Sequence, residues 1–484
     1  MKIKKYVTVA LLGLSLFSCT PRPEQIELVN EAAPIYPDYR DVTIPYNIAP
    51  LNFMLTNEAT AYRVSVCGRK DSLVETGDYK VCFSIKKWKR LLEAEKGEML
   101  TVNVVALVKG QWLQYAPFSW RIAPEAIDGY MSYRLIEPGY EVWNALQLCE
   151  RNLENFDERV IADNNLTEGN CMNCHIYGQQ SGKLSFFHLR GKNGGTILNR
   201  NGKLRKLVLK NDSMVSSAVY GDFHPSGRYG VFSSNSIIPA FHALNNRRLE
   251  VFDTKSDLAV ADFDNNRMIT SSLVSRKDIL ETFPTFSADG RFIYYCAAPM
   301  VVLPDSVKQL RYSLCRIGFD AEAGRWGNRI DTIWDANKQA GSVCFPKVSP
   351  DGRYMLFTVA DYGTFPIWHQ ETDLRLLDLQ TGIIDALKQV NSDRSDTYHS
   401  WASGSRWFVF ASKRGDGQYG KPYFSYVDKQ GNTHKPFVLP QKDPEYYDYT
   451  FKSYNIPELS ATSLPFDAAT IKHAYQNTQA EVFK

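Results

Sequence analysis

Over much of the chain, apolar and polar residues alternate with the period of two that belongs to β-strands. Runs such as Ala61-Tyr-Arg-Val-Ser-Val66, Tyr79-Lys-Val-Cys-Phe-Ser84 and Leu100-Thr-Val-Asn-Val-Val-Ala106 are divided by turn residues. They predict a β domain at 43–123, an immunoglobulin-like sandwich, with one helical insert from Lys86 to Glu95. Val142, Leu146, Cys149 and Leu153 repeat at helical spacing, so a helix over Glu141 to Phe156 is expected inside a linker, 124–182.

Beyond the linker the pattern repeats. Four segments align: Gly221-Asp-Phe-His-Pro-Ser-Gly-Arg-Tyr-Gly-Val-Phe232, Pro284-Thr-Phe-Ser-Ala-Asp-Gly-Arg-Phe-Ile-Tyr-Tyr295, Pro346-Lys-Val-Ser-Pro-Asp-Gly-Arg-Tyr-Met-Leu-Phe357 and His399-Ser-Trp-Ala-Ser-Gly-Ser-Arg-Trp-Phe-Val-Phe410. Their arginines, Arg228, Arg291, Arg353 and Arg406, are 63, 62 and 53 residues apart. Self-similarity of this kind marks a repeat architecture, each unit being a hairpin with a Gly-containing turn. The apolar run after each arginine suits a strand buried on both faces. The segments resemble the repeats of TolB-type β-propellers, and Ser349-Pro-Asp-Gly-Arg353 matches that pattern in full from its serine. The resemblance implies a propeller at 183–455, followed by a tail at 456–484; six blades are expected, with five or seven left open because long inserts hide the count. The fold class expected is all-β: sandwich, short helical linker, propeller.

Composition adds limits. Of 484 residues, 44% are hydrophobic and 23% charged, the profile of a globular protein. Lys and Arg total 56 against 53 Asp and Glu, and three of those lysines sit at positions 2, 4 and 5, so the remainder is balanced. Nothing here supplies the basic footprint of a nucleic-acid partner.

Lys2, Lys4 and Lys5 followed by the apolar stretch Val7 to Phe17 read as a signal peptide, 1–18. Leu16-Phe-Ser-Cys19 resembles a bacterial lipobox, which implies lipidation of Cys19 and a tether at 19–42. Only Glu24 and Glu27 follow as acidic residues, so the expected location is the periplasmic face of the outer membrane, with the Cys19 lipid as the only membrane contact.

The sharpest chemical signal is Cys171-Met-Asn-Cys174-His175, the C-x-x-C-H attachment pattern of c-type haem. Two thiols at this spacing add to the porphyrin vinyl groups and place His175 under the iron as proximal ligand. A disulfide or redox couple at Cys171 and Cys174 is the competing reading. Zinc is not expected, because no second metal-binding pair stands at finger spacing. In Leu184-Ser-Phe-Phe-His-Leu-Arg190, a strand would put Leu184, Phe186, His188 and Arg190 on one face. His188 is then the candidate distal ligand, with Met214 as alternative, and Arg190 a propionate partner. The stretch from Glu137 through this motif into the repeats also resembles a group of uncharacterised exported propeller proteins of Bacteroidetes-type bacteria.

Catalytic motifs are missing: no G-x-S-x-G, no H-E-x-x-H, and Pro422 spoils a P-loop-like stretch at Gly415 to Lys421, so no nucleotide is expected. Asp262-Phe-Asp-Asn-Asn266 reads as a turn. The histidines at 242, 369 and 399 stand beside aromatics, as structural or channel-lining groups. The expectation is an outer-membrane c-type haem lipoprotein passing single electrons to a redox or envelope protein docked on the propeller. The alternative is a non-redox scaffold that binds an envelope protein or glycan, with Cys171 and Cys174 in a disulfide. A haem peroxidase with an open sixth site is a third reading.

Overall fold

The computed structural model describes residues 25–137, 145–244 and 247–484. The signal peptide and Cys19 lie outside the described residues.

The N-terminal unit is built of two sheets. A seven-stranded sheet is centred on Met99–Val108, which pairs with Ala59–Cys67, Gln111–Ala116 and Phe118–Ala123, and a three-stranded sheet joins Ile35–Tyr36, Phe53–Leu55 and Lys80–Val81. The helix Ile85–Ala94 forms where expected, because Trp88, Leu91 and Leu92 share one face and bury it. Part of the expected tether is structured: Ile26–Ala32 is a strand parallel to Gln111–Ala116. Cys67 and Cys82 are both exposed thiols without a disulfide between them.

The rest of the described chain forms six sheets, antiparallel but for one short parallel edge strand. The first strands of five of them are Met172–Gly178, Ala218–Phe223, Ile279–Phe286, Ser342–Val348 and Asp396–Trp401, each followed in sequence by its partners. The sixth is assembled from both ends of the chain: Ser453–Ser460 pairs with Tyr130–Ile136, which pairs with Leu146–Asn152 and then Glu158–Asp163. Glu481–Val482 likewise adds to the outer edge of the sheet that begins at Met172. Each first strand touches the next, and Ser453–Ser460 touches both Asp396–Trp401 and Met172–Gly178, so the contacts run in a cycle.

Three expectations are corrected. The linker 124–182 contains no helix among its described residues, but strands. Leu146 and Leu148 pack toward one core and Cys149 and Leu153 toward another, and a strand buried on both faces loses the alternation that would distinguish it from a helix. The cyclic body starts at 130 rather than 183. The segment 456–484 is no tail, since it supplies part of a first strand, the helix Ala468–Asn477 and an edge strand.

The repeat turns explain their own sequence. Ser349 Oγ donates to Asp351 Oδ1 at 2.6 Å and accepts the Tyr354 amide at 2.9 Å, while Asp351 accepts the Arg353 amide at 3.1 Å. Ser287 and Asp289 repeat this scheme. The residue before the arginine is left-handed, with φ of +68°, +74° and +71° at Gly227, Gly290 and Gly352, and +57° at Ser405. The apolar run after the arginine is the second strand of its sheet, and Tyr354–Ala360 and Trp407–Ser412 are buried throughout.

The N-terminal unit is fastened to this body. One core runs from Trp88 and Trp120 through Tyr133 to Trp407 and Phe424. Trp407 Nε1 donates to the Glu125 carbonyl at 3.0 Å, and Asp128 accepts the Ser403 amide at 2.9 Å.

Candidate functional site

The six first strands enclose a cavity of about 70 Å³, to which every one of them contributes. Four contributors are aromatic: Tyr220, Phe283, Phe345 and Tyr398. Each stands eight residues before its repeat arginine. Ring centroids lie 4.6 Å apart from Tyr220 to Phe283, 4.5 Å from Phe283 to Phe345 and 4.6 Å from Phe345 to Tyr398. Cys174 and Ile456 line the cavity from the remaining two strands. The chain turns these side chains inward by local irregularity. Pairing slips at a bulge in each first strand, and φ is positive at Cys174, Phe283, Phe345, Tyr398 and Ile456. The result is an aromatic collar, and the spacing to the repeat arginine was the signal that could have found it.

Below the collar, counting from where the first strands begin, the lining turns to Gly221, Pro284, Pro346, His175 and His399, then Lys347 and Glu458. Burial pushes the His175 imidazole down to about 4 and that of His399 to about 3, so both are neutral at neutral pH. His175 Nε2 and both ring nitrogens of His399 have no side-chain partner among the described residues, the backbone at Ser132 and Ile456 lying against His175 and that at Leu356 and Phe345 against His399. Burial pushes Glu458 up to about 7, against the opposing pull of Lys347.

Above the collar lies Arg134, directly opposite Asn455 in register and 5% exposed. Its Nη1 reaches Cys171 Sγ at 3.8 Å, and its Nε has no partner. No carboxylate among the described residues is in ion-pair contact with it. Burial pushes the Cys174 thiol up to about 12, so that sulfur is no counter-charge either. A buried ion without compensation costs several kcal/mol.

The predicted haem residues can now be placed. Cys174 and His175 lie on Met172–Gly178, the first strand of its sheet, beside Ser181–Leu189. A c-type haem needs both thiols and the imidazole to face one macrocycle. The cavity they line, about 70 Å³, is under half the roughly 150 Å³ that holds a single benzene. In this arrangement the residues do not fit the group. His188 is no distal ligand here: its Nδ1 is 2.8 Å from Thr196 Oγ1 and its Nε2 2.6 Å from the Val219 carbonyl. It packs on Phe186 and Phe232, toward the sheet that begins at Ala218, while His175 faces Ser132 and Ile456 on the opposite side. Met214 is buried in the apolar core with Phe186. Arg190 is exposed. No cluster of three His, Cys, Asp or Glu side chains able to hold a metal occurs among the described residues.

Other candidates resolve as structure. Asp262 pairs with Arg228 at 2.9 Å and accepts the amides of Asp264 and Asn265, which makes its loop a turn. His369 Nε2 is 2.9 Å from Glu250 on the long strand Arg247–Asp262, and that carboxylate with Glu371 lifts the imidazole to about 9 although burial opposes it. The side chain of His242 lies outside the described residues.

No known protein family's profile matches the chain, and no curated protein matches it either. Among solved structures, prolyl oligopeptidase B from Galerina marginata is similar over 70% of this chain and 43% of its own, with 10% identity and a TM-score of 0.36. A puromycin-hydrolysing peptidase of Mycobacterium tuberculosis is similar over 55% of this chain and 38% of its own, with 14% identity and a TM-score of 0.32. The chain thus spans less than half the length of either peptidase. A DUF4784 family protein from Bacteroides caccae is similar over 84% of this chain and 97% of its own, with 8% identity and a TM-score of 0.31. Likenesses this weak carry no functional argument; the chain is a predominantly β, multi-sheet protein.

Proposed function

We propose that this protein is a ligand-binding lipoprotein, an immunoglobulin-like sandwich joined to a six-bladed TolB-like propeller, held by Cys19 at the periplasmic face of the outer membrane. The observation that supports binding over electron transfer is the cavity enclosed by the six first strands. Its collar is aromatic, its buried imidazoles have no side-chain partner, and its volume of about 70 Å³ suits a small ligand better than a macrocycle. Apolar walls with a few convergent polar groups are the usual make-up of a small-ligand site. The six first strands in cyclic contact support the propeller reading, and the two-ended sixth sheet is how such a ring closes.

The rival reading is a c-type haem on Cys171, Cys174 and His175, with a periplasmic or outer-membrane redox partner. The motif favours it, and it requires Met172–Gly178 to leave its sheet. Intact mass and a pyridine haemochrome spectrum decide between them, on protein matured in a periplasm with haem-attachment machinery. The binding reading expects the mass of the chain without haem; a covalent haem with a c-type spectrum overturns it.

A further inference from the structure

We propose that Arg134 anchors a carboxylate-binding site just above the aromatic collar, taking a small monoanionic ligand whose apolar part rests against Tyr398 and its neighbours. The inference rests on the ligand-binding reading and names the ligand class for that same site.

Three observations carry it. Arg134 is 5% exposed, its Nε has no partner, and a thiol sulfur at 3.8 Å is its one acceptor among the described residues. Other enclosed arginines have oxygen acceptors: Arg414 has Asp396 at 2.9 Å, and the equally buried Arg151, whose Nε is also unpartnered, donates through Nη2 to the Pro440 carbonyl at 3.1 Å. Of these, Arg134 is the one whose charge acts on the cavity residues Cys174, His175, Tyr220 and Tyr398. Two more unmet polar atoms belong to first strands, next in sequence to the collar. Thr397 Oγ1 and Asn455 Oδ1 are buried without partners, each immediately before a left-handed residue of the collar, Tyr398 and Ile456.

The chemistry selects the ligand. A guanidinium presents a planar fork that a carboxylate matches with two parallel hydrogen bonds. One fixed positive charge balances one negative charge, so a phosphate dianion is left undercompensated in this buried site. The Thr397 hydroxyl can donate a further bond, and Asn455 Oδ1 can accept one from a hydroxyl or amino group beside the carboxylate. The collar offers ring faces to whatever apolar group follows.

The test is calorimetric titration of the full chain, its mass first shown to be free of haem, with acetate, propionate and inorganic phosphate. Propionate, whose short apolar group suits a cavity of about 70 Å³, is expected to bind more tightly than acetate, and phosphate most weakly. Arg134→Gln is expected to abolish carboxylate binding, and Arg134→Lys, which keeps the charge but not the fork, to weaken it about tenfold or more. Thr397→Val serves as the mild variant should the arginine substitutions fail to fold, with a several-fold loss expected. Absence of carboxylate binding tighter than about 10 mM in haem-free wild-type protein overturns the proposal while leaving the ligand-binding reading intact. Carboxylate binding that Arg134→Gln and Thr397→Val leave unchanged overturns it as well. A covalent haem in the mass overturns the reading beneath it.

Discussion

Phe345 offers a test of the collar in which packing and backbone strain make opposite demands. The ring is 8% exposed and lies 4.5 Å from Phe283 and 4.6 Å from Tyr398, centroid to centroid. Truncating a buried phenylalanine costs about 3–5 kcal/mol, and a side chain that already borders a cavity belongs near 3. The backbone at Phe345 has φ of +54°, a left-handed conformation that costs a residue with a Cβ about 1 kcal/mol and glycine almost nothing. Phe345→Ala therefore loses the ring and keeps the strain, whereas Phe345→Gly loses the ring and sheds the strain. The glycine variant should be the more stable of the two by about 1 kcal/mol. Ordinary strand positions rank the other way, glycine being about 0.5–1 kcal/mol worse than alanine. Urea unfolding followed by tryptophan fluorescence gives the comparison, since equal slopes let the midpoints be read as stability. An alanine variant as stable as the glycine variant, or more so, would refute the bulged, left-handed collar.

Further outcomes follow from single groups. Because burial raises the folded-state value of Glu458 from 4.5 to about 7, the native chain binds the extra proton between those values, and its contribution to stability is full below about pH 4.5 and lost as pH rises through 7. Glu458→Gln should flatten that decline by up to about 3 kcal/mol, seen in melting temperatures from pH 5 to 8; an unchanged slope would show Glu458 to be solvated. Asp351→Ala removes the acceptor of the Arg353 amide and the partner of Arg406 at 3.2 Å, and should cost about 1–2 kcal/mol in urea unfolding, whereas the same change at the exposed Asp393 should cost almost nothing. Cys67 and Cys82 should alkylate in the native protein, while Cys296 and Cys344, both fully buried, should alkylate only after unfolding; adduct counting by mass checks this. Glu250→Gln, which loses the ion pair to His369, should speed amide exchange in the strand Arg247–Asp262.

Much of the repeat body could be read from residues alone. The turn residues from Ser349 to Arg353 are there for bonds within five residues, which is why their pattern survives in the chain as a motif. The helix at 85–94 was legible because one face of it, Trp88, Leu91 and Leu92, is apolar while the others are charged. The segment 146–153 was misread because both its faces are buried. The haem expectation drew on the spacing of Cys171, Cys174 and His175 and on period-two alternation around His188. Alternation did hold in Ser181–Leu189, but the bulge in Met172–Gly178 turned His175 to the opposite side of the sheet from His188.

By itself, then, the sequence determined what depends on near neighbours: strand periodicity, the repeat turns, the one amphipathic helix and the aromatic eight residues ahead of each repeat arginine. Only the tertiary structure decided that Ser453–Ser460 completes a sheet begun more than three hundred residues earlier and that the four aromatics meet in one collar. It alone set Arg134 beside Cys171 with no carboxylate among the described residues in ion-pair contact. Those outcomes rest on pairings between distant segments, whose cost is loop closure and whose return is burial, and no local pattern of residues records which distant partner fills the space.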